Sequence, residues 1–146
     1  NWGLVETESD QPGAPPELSI YLTENTANTT DVGYIRRYSL RLDGFVSISA
    51  RASGGECVTK PIRFQGSRLL MNFSTSVAGG IRIEIQAADA KPIPGYSLDD
   101  ALDAFCDQLD RVATCYHRSD VNQLLGKTAR LRFVMQDADL YSIQFR

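Results

Sequence analysis

Two stretches near the ends of the chain alternate apolar with charged or small polar residues. They are Gly33-Tyr-Ile-Arg-Arg-Tyr-Ser-Leu-Arg-Leu-Asp-Gly-Phe-Val-Ser-Ile48 and Gly126-Lys-Thr-Ala-Arg-Leu-Arg-Phe-Val-Met-Gln-Asp-Ala-Asp-Leu-Tyr-Ser-Ile-Gln-Phe145. A period of two is the mark of strands in a sheet with one buried face. The pattern predicts strands at 18–22, 34–42, 45–50, 56–63, 68–73, 81–86, 130–135 and 140–145. Asp43-Gly44 between the second and third is a two-residue hairpin signal, and Pro61 marks an edge or bulge. The cleanest alternation sets Ile81, Ile83 and Ile85 on a buried face and Arg82, Glu84 and Gln86 on a wet one.

The period changes once. Leu98, Leu102, Phe105 and Leu109 recur at helical spacing behind Ser97 and Asp100, which resemble a capping box. This predicts one short amphipathic helix over 98–109. Eight or so short strands with turns every 8–12 residues predict an all-β fold, an antiparallel β-sandwich of jelly-roll type. The polar, proline-rich stretch before residue 18 reads as a lead-in, the end of a preceding domain, so the expected division is 1–17 and 18–146.

Composition narrows the function classes. A chain of 146 residues with 42% hydrophobic and 23% charged residues suits one globular domain. A formal charge of −3 and a pI near 5.1 argue against nucleic-acid binding, which needs clustered basic surface. No apolar run approaches the ~20 residues of a membrane-spanning helix. The chain opens at Asn1 with no leader, which reads as a processed or excised fragment and leaves export undecided. Asn28-Thr29-Thr30 is a formal glycosylation triplet.

Three cysteines, Cys57, Cys106 and Cys115, allow at most one disulfide; Cys106–Cys115 is an available short closure, small buried thiols the alternative. No zinc spacing is present, and His117 is the single histidine. Asp99, Asp103, Asp107 and Asp110 would share one solvated helix face. Asp137 and Asp139 are the remaining candidates for a metal such as a structural calcium, although a strand-joining turn explains them equally. Otherwise no cofactor is expected. Cys115 and His117 would point to opposite faces of a strand, and no carboxylate pair stands out, so no enzymatic activity is expected.

Six segments carry a resemblance to a known family. They are Arg37-Tyr-Ser-Leu-Arg-Leu-Asp-Gly-Phe-Val-Ser47, Val58-Thr-Lys-Pro61, Leu70-Met-Asn-Phe-Ser-Thr-Ser76, Lys91-Pro-Ile-Pro-Gly-Tyr-Ser-Leu98, Gly126-Lys-Thr-Ala-Arg-Leu-Arg-Phe133 and Asp137-Ala-Asp-Leu-Tyr141. In this order they resemble the C-terminal β-sandwich module that follows a five-bladed β-propeller in bacterial proteins related to glycoside hydrolase family 32. Asn1-Trp-Gly3 resembles the close of the last propeller blade. One segment departs: Cys115-Tyr-His117 stands where relatives carry Trp-Lys-Gly, and they read there as loop then strand. The resemblance implies a non-catalytic accessory module of a carbohydrate-active protein that is secreted, cell-surface or periplasmic. Its partner would be a preceding propeller or glycosidase domain. The alternative is an independent carbohydrate-binding module whose partner is a glycan.

Sugar binding needs an exposed aromatic ring for the C–H face of a pyranose and planar polar groups for its hydroxyls. The candidate aromatics are Trp2, Tyr34, Tyr96, Tyr116 and Tyr141; the polar groups are Arg36, Arg37, Asn72, His117 and Asp139. Tyr116-His117-Arg118 places three ligand-capable side chains in one loop. With Tyr34 and Tyr96, these form the expected carbohydrate-binding set.

Overall fold

The computed structural model describes residues 3–25, 32–116 and 118–146. Trp2, the Asn28-Thr29-Thr30 triplet and His117 lie outside the described residues. The elements are β1 Val5–Thr7, β2 Glu17–Glu24, β3 Tyr34–Arg41, β4 Ile48–Ala50, β5 Gly55–Val58, β6 Leu69–Ala87, β7 Asp107–Val112, a 3-10 turn at Asn122–Leu124, and β8 Ala129–Phe145. All pairings between strands are antiparallel, in one sheet of three strands and one of five. The all-β, antiparallel class predicted by alternation is the one observed. Among the described residues no helix is long and apolar enough to cross a membrane.

The chain divides into two compact units, Asn1–Phe45 and Val46–Arg146. The boundary falls well after the 17/18 position predicted from composition. Residues 5–7 are not a lead-in but a strand: Val5 pairs with Ser19 and Thr7 with Glu17. The Asp43-Gly44 turn forms, with Gly44 N–H donating to Arg41 O at 3.0 Å. A Cβ on Gly44 would lie 2.6 Å from Arg41 Cβ, so no other residue fits without movement. The turn does not close the expected hairpin, because β3 pairs with β2 and β4 pairs with β8.

In the first unit the sheet order is β1-β2-β3. One face carries Arg37, whose guanidinium donates to Ser19 Oγ at 2.7 Å, Thr7 Oγ1 at 2.9 Å, Glu17 Oε2 at 3.2 Å and Asp10 Oδ1 at 2.7 Å. One cation thus ties all three strands, and Ser19 is fully buried beneath it. Among the described residues, every buried hydrophobic side chain belongs to the second unit.

The second unit is built on a long ribbon in which β6 and β8 pair from Leu69↔Phe145 to Ala87↔Ala129. β7 flanks the first half of β6, while β4 and β5 flank successive parts of β8. The alternation predicted most of this core: Ile81, Ile83, Ile85, Leu131, Phe133 and Met135 are all buried, and Phe73 joins them. The ribbon is interrupted between Thr75↔Ala138 and Gly80↔Gln136, where residues 76–79 stand opposite Asp137 alone. Asp137 adopts φ 43° there. A Cβ on Gly79 would collide with the carbonyl oxygens of Asp137 and Gln136, so this bulge needs glycine at that position.

Two expectations about this unit fail. The helix over 98–109 does not form. Ser97 N–H donates to Asp100 Oδ2 at 3.1 Å, the return bond of a capping box, but the chain then makes only turns. Ala101 bridges Cys115 and Ala104 bridges Ile81, and residues Asp107–Val112 form a strand. Backbone pairing with β6 supplies hydrogen bonds that a lone helix of about three turns would have to supply without tertiary support. The buried residues are accordingly Ala101 and Ala104, while Leu102 and Phe105 are exposed. The supposed wet face of β6 is also partly covered, since Glu84 and Gln86 are buried. Segment 91–98 turns back beside the end of β6, with Ile93 N–H donating to Ile85 O and Ile85 N–H to Tyr96 O, each at 2.9 Å. Glu84 accepts from Gln86 Nε2 at 2.8 Å, Leu98 N–H at 3.2 Å and Arg132 Nη1 at 3.4 Å.

Candidate functional site

An open cleft of about 890 Å³ lies on the outer face of β5, β8 and β6. Register explains how it arises. Gly55, Met135, Ile81 and Ala104 form one continuous row, because Gly55 pairs with Met135, Met135 with Ile81, and Ile81 with Ala104. Met135, Ile81 and Ala104 face the core, so their neighbours along each strand face outward. One step on, Glu56, Val134 and Arg82 make the next row with Asp103. One step the other way, Gly54, Gln136 and Gly80 run toward Phe105. All eight of these outward residues line the cleft.

Two of the eight are glycines, Gly54 and Gly80, and Gly80 leaves the floor bare beside Phe105. A Cβ on Gly80 would meet nothing nearer than Ala104 O at 3.7 Å. The Phe105 ring is 59% exposed, and Val77, at the tip of the 76–79 bulge, is fully exposed at the same cleft. Polar groups are paired across the floor: Arg82 Nε lies 3.6 Å from Asp103 Oδ1, and Arg132 Nη2 donates to Glu56 Oε2 at 2.6 Å. Glu56, then Glu84, hold the Arg132 guanidinium above its ordinary value. Gln136 Nε2 donates to Ala52 O at 3.0 Å, tying the turn at 51–54 to the cleft wall.

The residues expected to bind sugar are not brought together. Tyr96 is buried at 2% exposure, its hydroxyl donates to Asp120 O at 3.0 Å, and Arg118 covers its ring at 5.6 Å. A ring so enclosed has no face for a ligand, which corrects its place in the set. Arg118 is thereby committed to Tyr96, and the tight turn runs from Cys115 to Arg118, with Cys115 N–H donating to Arg118 O at 2.7 Å. Tyr116 is exposed on that turn, its N–H bonded to Asp100 O at 2.8 Å. Tyr34 belongs to the first unit, where it forms a self-contained group. Arg36 stacks over the Tyr34 ring at 5.3 Å, donates to its hydroxyl at 3.1 Å and pairs with Glu24 at 3.3 Å, and the Tyr38 hydroxyl also bonds Glu24. The hydroxyls of Tyr38 and Tyr34 hold the Glu24 carboxyl below its ordinary range.

Of the two metal candidates, Asp137 sits at the bulge and donates its N–H to Arg51 O at 3.1 Å, and the Asp139 carboxylate accepts from Ser47 Oγ at 2.9 Å. Among the described residues no three His, Cys, Asp or Glu side chains are grouped to hold a metal ion. All three cysteines are free: Cys115 is buried, Cys57 half-buried and Cys106 exposed, so the Cys106–Cys115 closure is not made.

Sequence reasoning missed Phe105 because its spacing from Leu98, Leu102 and Leu109 assigned it to an apolar helix face. The available signal was Gly79-Gly80 followed by a clean alternating strand, which marks a place where a sheet face is left open. No protein-family model, curated protein or solved structure matches the chain.

Proposed function

We propose that this chain is a non-catalytic accessory module of a carbohydrate-active protein, and that it contributes by holding glycan in the cleft over β5, β8 and β6. The observation that carries this reading is Phe105, an exposed aromatic ring beside a glycine-floored cleft that also presents Arg82, Asp103, Glu56 and Gln136. An aromatic platform bordered by planar hydrogen-bonding groups matches the two faces of a sugar ring. The cleft size falls within the ~300–1,000 Å³ of ordinary ligand sites.

The same floor is unsuited to glycoside cleavage. Its carboxylates, Asp103 and Glu56, stand at opposite ends of a row with Arg82 and Val134 between them. At about 4.8 Å per strand their backbones stand roughly 14 Å apart, and Arg82 and Arg132 hold the two carboxylates in separate ion pairs, whereas the paired carboxyls of glycosidases face each other across ~5–9.5 Å. The family resemblance adds the setting, an exported protein with a separate catalytic domain.

The test is a broad glycan array probed with the intact chain, with and without calcium. Reproducible binding supports the reading, and silence in both conditions overturns it. A second reading, packing against an adjoining glycosidase domain, is favoured by an apolar groove of about 330 Å³ where Val46, Ile48 and Val58 are exposed. Val46→Asp and Ile48→Asp should then abolish association with such a domain supplied in trans while leaving glycan binding intact.

A further inference from the structure

Resting on that reading, we infer that the ligand of the cleft is an uncharged oligosaccharide of more than one ring, with one ring seated on Phe105 and over Gly80.

Charge balance sets the class. The cleft lining carries two carboxylates, Glu56 and Asp103, and one guanidinium, Arg82, and with Arg132 beside Glu56 each carboxylate has a cationic partner. Arg82 already lies 3.6 Å from Asp103, and Glu56 is bonded to Arg132. An acidic sugar or a phosphorylated ligand would have to compete with Asp103 and Glu56 for guanidinia they already hold. A neutral polyol disrupts neither pair: its hydroxyls donate to the carboxylate oxygens and accept from Arg82 and Gln136.

Geometry sets the length. Phe105 lies at one margin of the floor, beside Gly80 on β6, and Glu56 and Gly54 lie at the other, across four neighbouring strands of backbone. At about 4.8 Å per strand the floor is roughly 14 Å wide, more than a single sugar ring covers. Val77 on the 76–79 bulge adds a second apolar surface along the same wall. The glycine beside Phe105 is a positive feature of the site. Gly80 has room for a Cβ, so its missing side chain is not forced by packing, as that of Gly79 is.

The experiment is titration calorimetry of the intact chain with neutral oligosaccharides from mono- to hexasaccharide and with uronate-containing counterparts. Two variants are compared with the parent. Phe105→Ala removes an exposed ring, and Gly80→Val fills the floor with a residue suited to a strand; circular dichroism and urea midpoints check that both fold. Expected are affinity that rises with chain length, weak dependence on salt, and no binding of the acidic series. Phe105→Ala should weaken binding about five- to tenfold, Gly80→Val should weaken it at least as much, and Phe105→Tyr should retain it. Preference for the acidic series overturns this inference and leaves the carbohydrate-binding reading standing, whereas parental affinity in both Phe105→Ala and Gly80→Val overturns it and places the bound glycan outside this cleft. Silence across the whole panel overturns both.

Discussion

Phe64 and Phe145 stack with ring centroids 3.9 Å apart and planes 9° from parallel. Phe145 ends β8, and Phe64 lies just past Ile62, which bridges Ala129 at the other end of the same strand. The pair therefore pins the segment after β5 to the far end of the ribbon. Phe64 is buried, so Phe64→Ala should cost about 3–5 kcal/mol, of which ~1 kcal/mol is the ring pairing itself. Urea unfolding followed by tyrosine and tryptophan fluorescence measures it; a loss below 1 kcal/mol would mean the stack is not anchoring the strand.

Adjacent glycines at the cleft should respond differently. Gly79→Ala forces a Cβ into the carbonyls of Asp137 and Gln136, and the bulge must move, at a cost of about 1–3 kcal/mol. Gly80→Ala meets only an ordinary contact at 3.7 Å and should stay within about 0.5 kcal/mol of the parent. Equal midpoints for the two variants would contradict the geometry of the bulge.

Glu84 and Glu56 share Arg132 but differ in surroundings. Glu84→Ala leaves the Gln86 amide and the Leu98 N–H without their acceptor in a buried place, and should cost about 2–4 kcal/mol. Glu56 is exposed, so Glu56→Ala should cost under about 1 kcal/mol. Thermal and urea denaturation of the two variants decide this, and a larger loss at Glu56 would reverse the assignment.

The thiols should sort by burial. Cys106 is exposed and should react first with a thiol reagent under native conditions, and Cys115 only on unfolding. Burial pushes the Cys57 and Cys115 thiols up, with the carboxylates of Glu56 and Asp100 acting in the same direction. The folded chain thus keeps protons that the unfolded chain loses. Their contribution is complete below the unfolded thiol value of about 8.5 and is lost as pH rises through the folded values. Urea midpoints should fall from pH ~8 upward, and less steeply in a Cys57→Ser variant; parallel slopes would exclude this cause.

What was legible in the chain was whatever depended on one face of one strand. Ile81, Ile83 and Ile85, and Leu131, Phe133 and Met135, are buried as their alternation predicts, because a period of two reports the face turned to the core. What was hidden depended on a second layer. Glu84 and Gln86 look like solvent-facing residues until segment 91–98 folds back beside them. Tyr96 looks like an available ring until Asp120 and Arg118 enclose it. Phe105 looks like helix core because Leu98, Leu102 and Leu109 share its spacing, yet bridging of Ala104 to Ile81 turns it outward. Side-chain periodicity carries no record of which backbone edge a segment will join, and that edge determined the cleft.

The ribbon also sets the tempo of folding. β6 ends at Ala87 and β8 begins at Ala129, so the central pair forms only after residues 88–128 have been closed into a loop. Little core is gained before that closure, because Phe73, Ile81 and Ile83 find their cross-strand neighbours Leu140, Met135 and Phe133 on β8. Non-local antiparallel pairing of this type folds on the ms–s scale. Until β8 arrives, the apolar stripe of β6 is bare to other copies of the chain, and refolding yield should therefore fall as protein concentration rises.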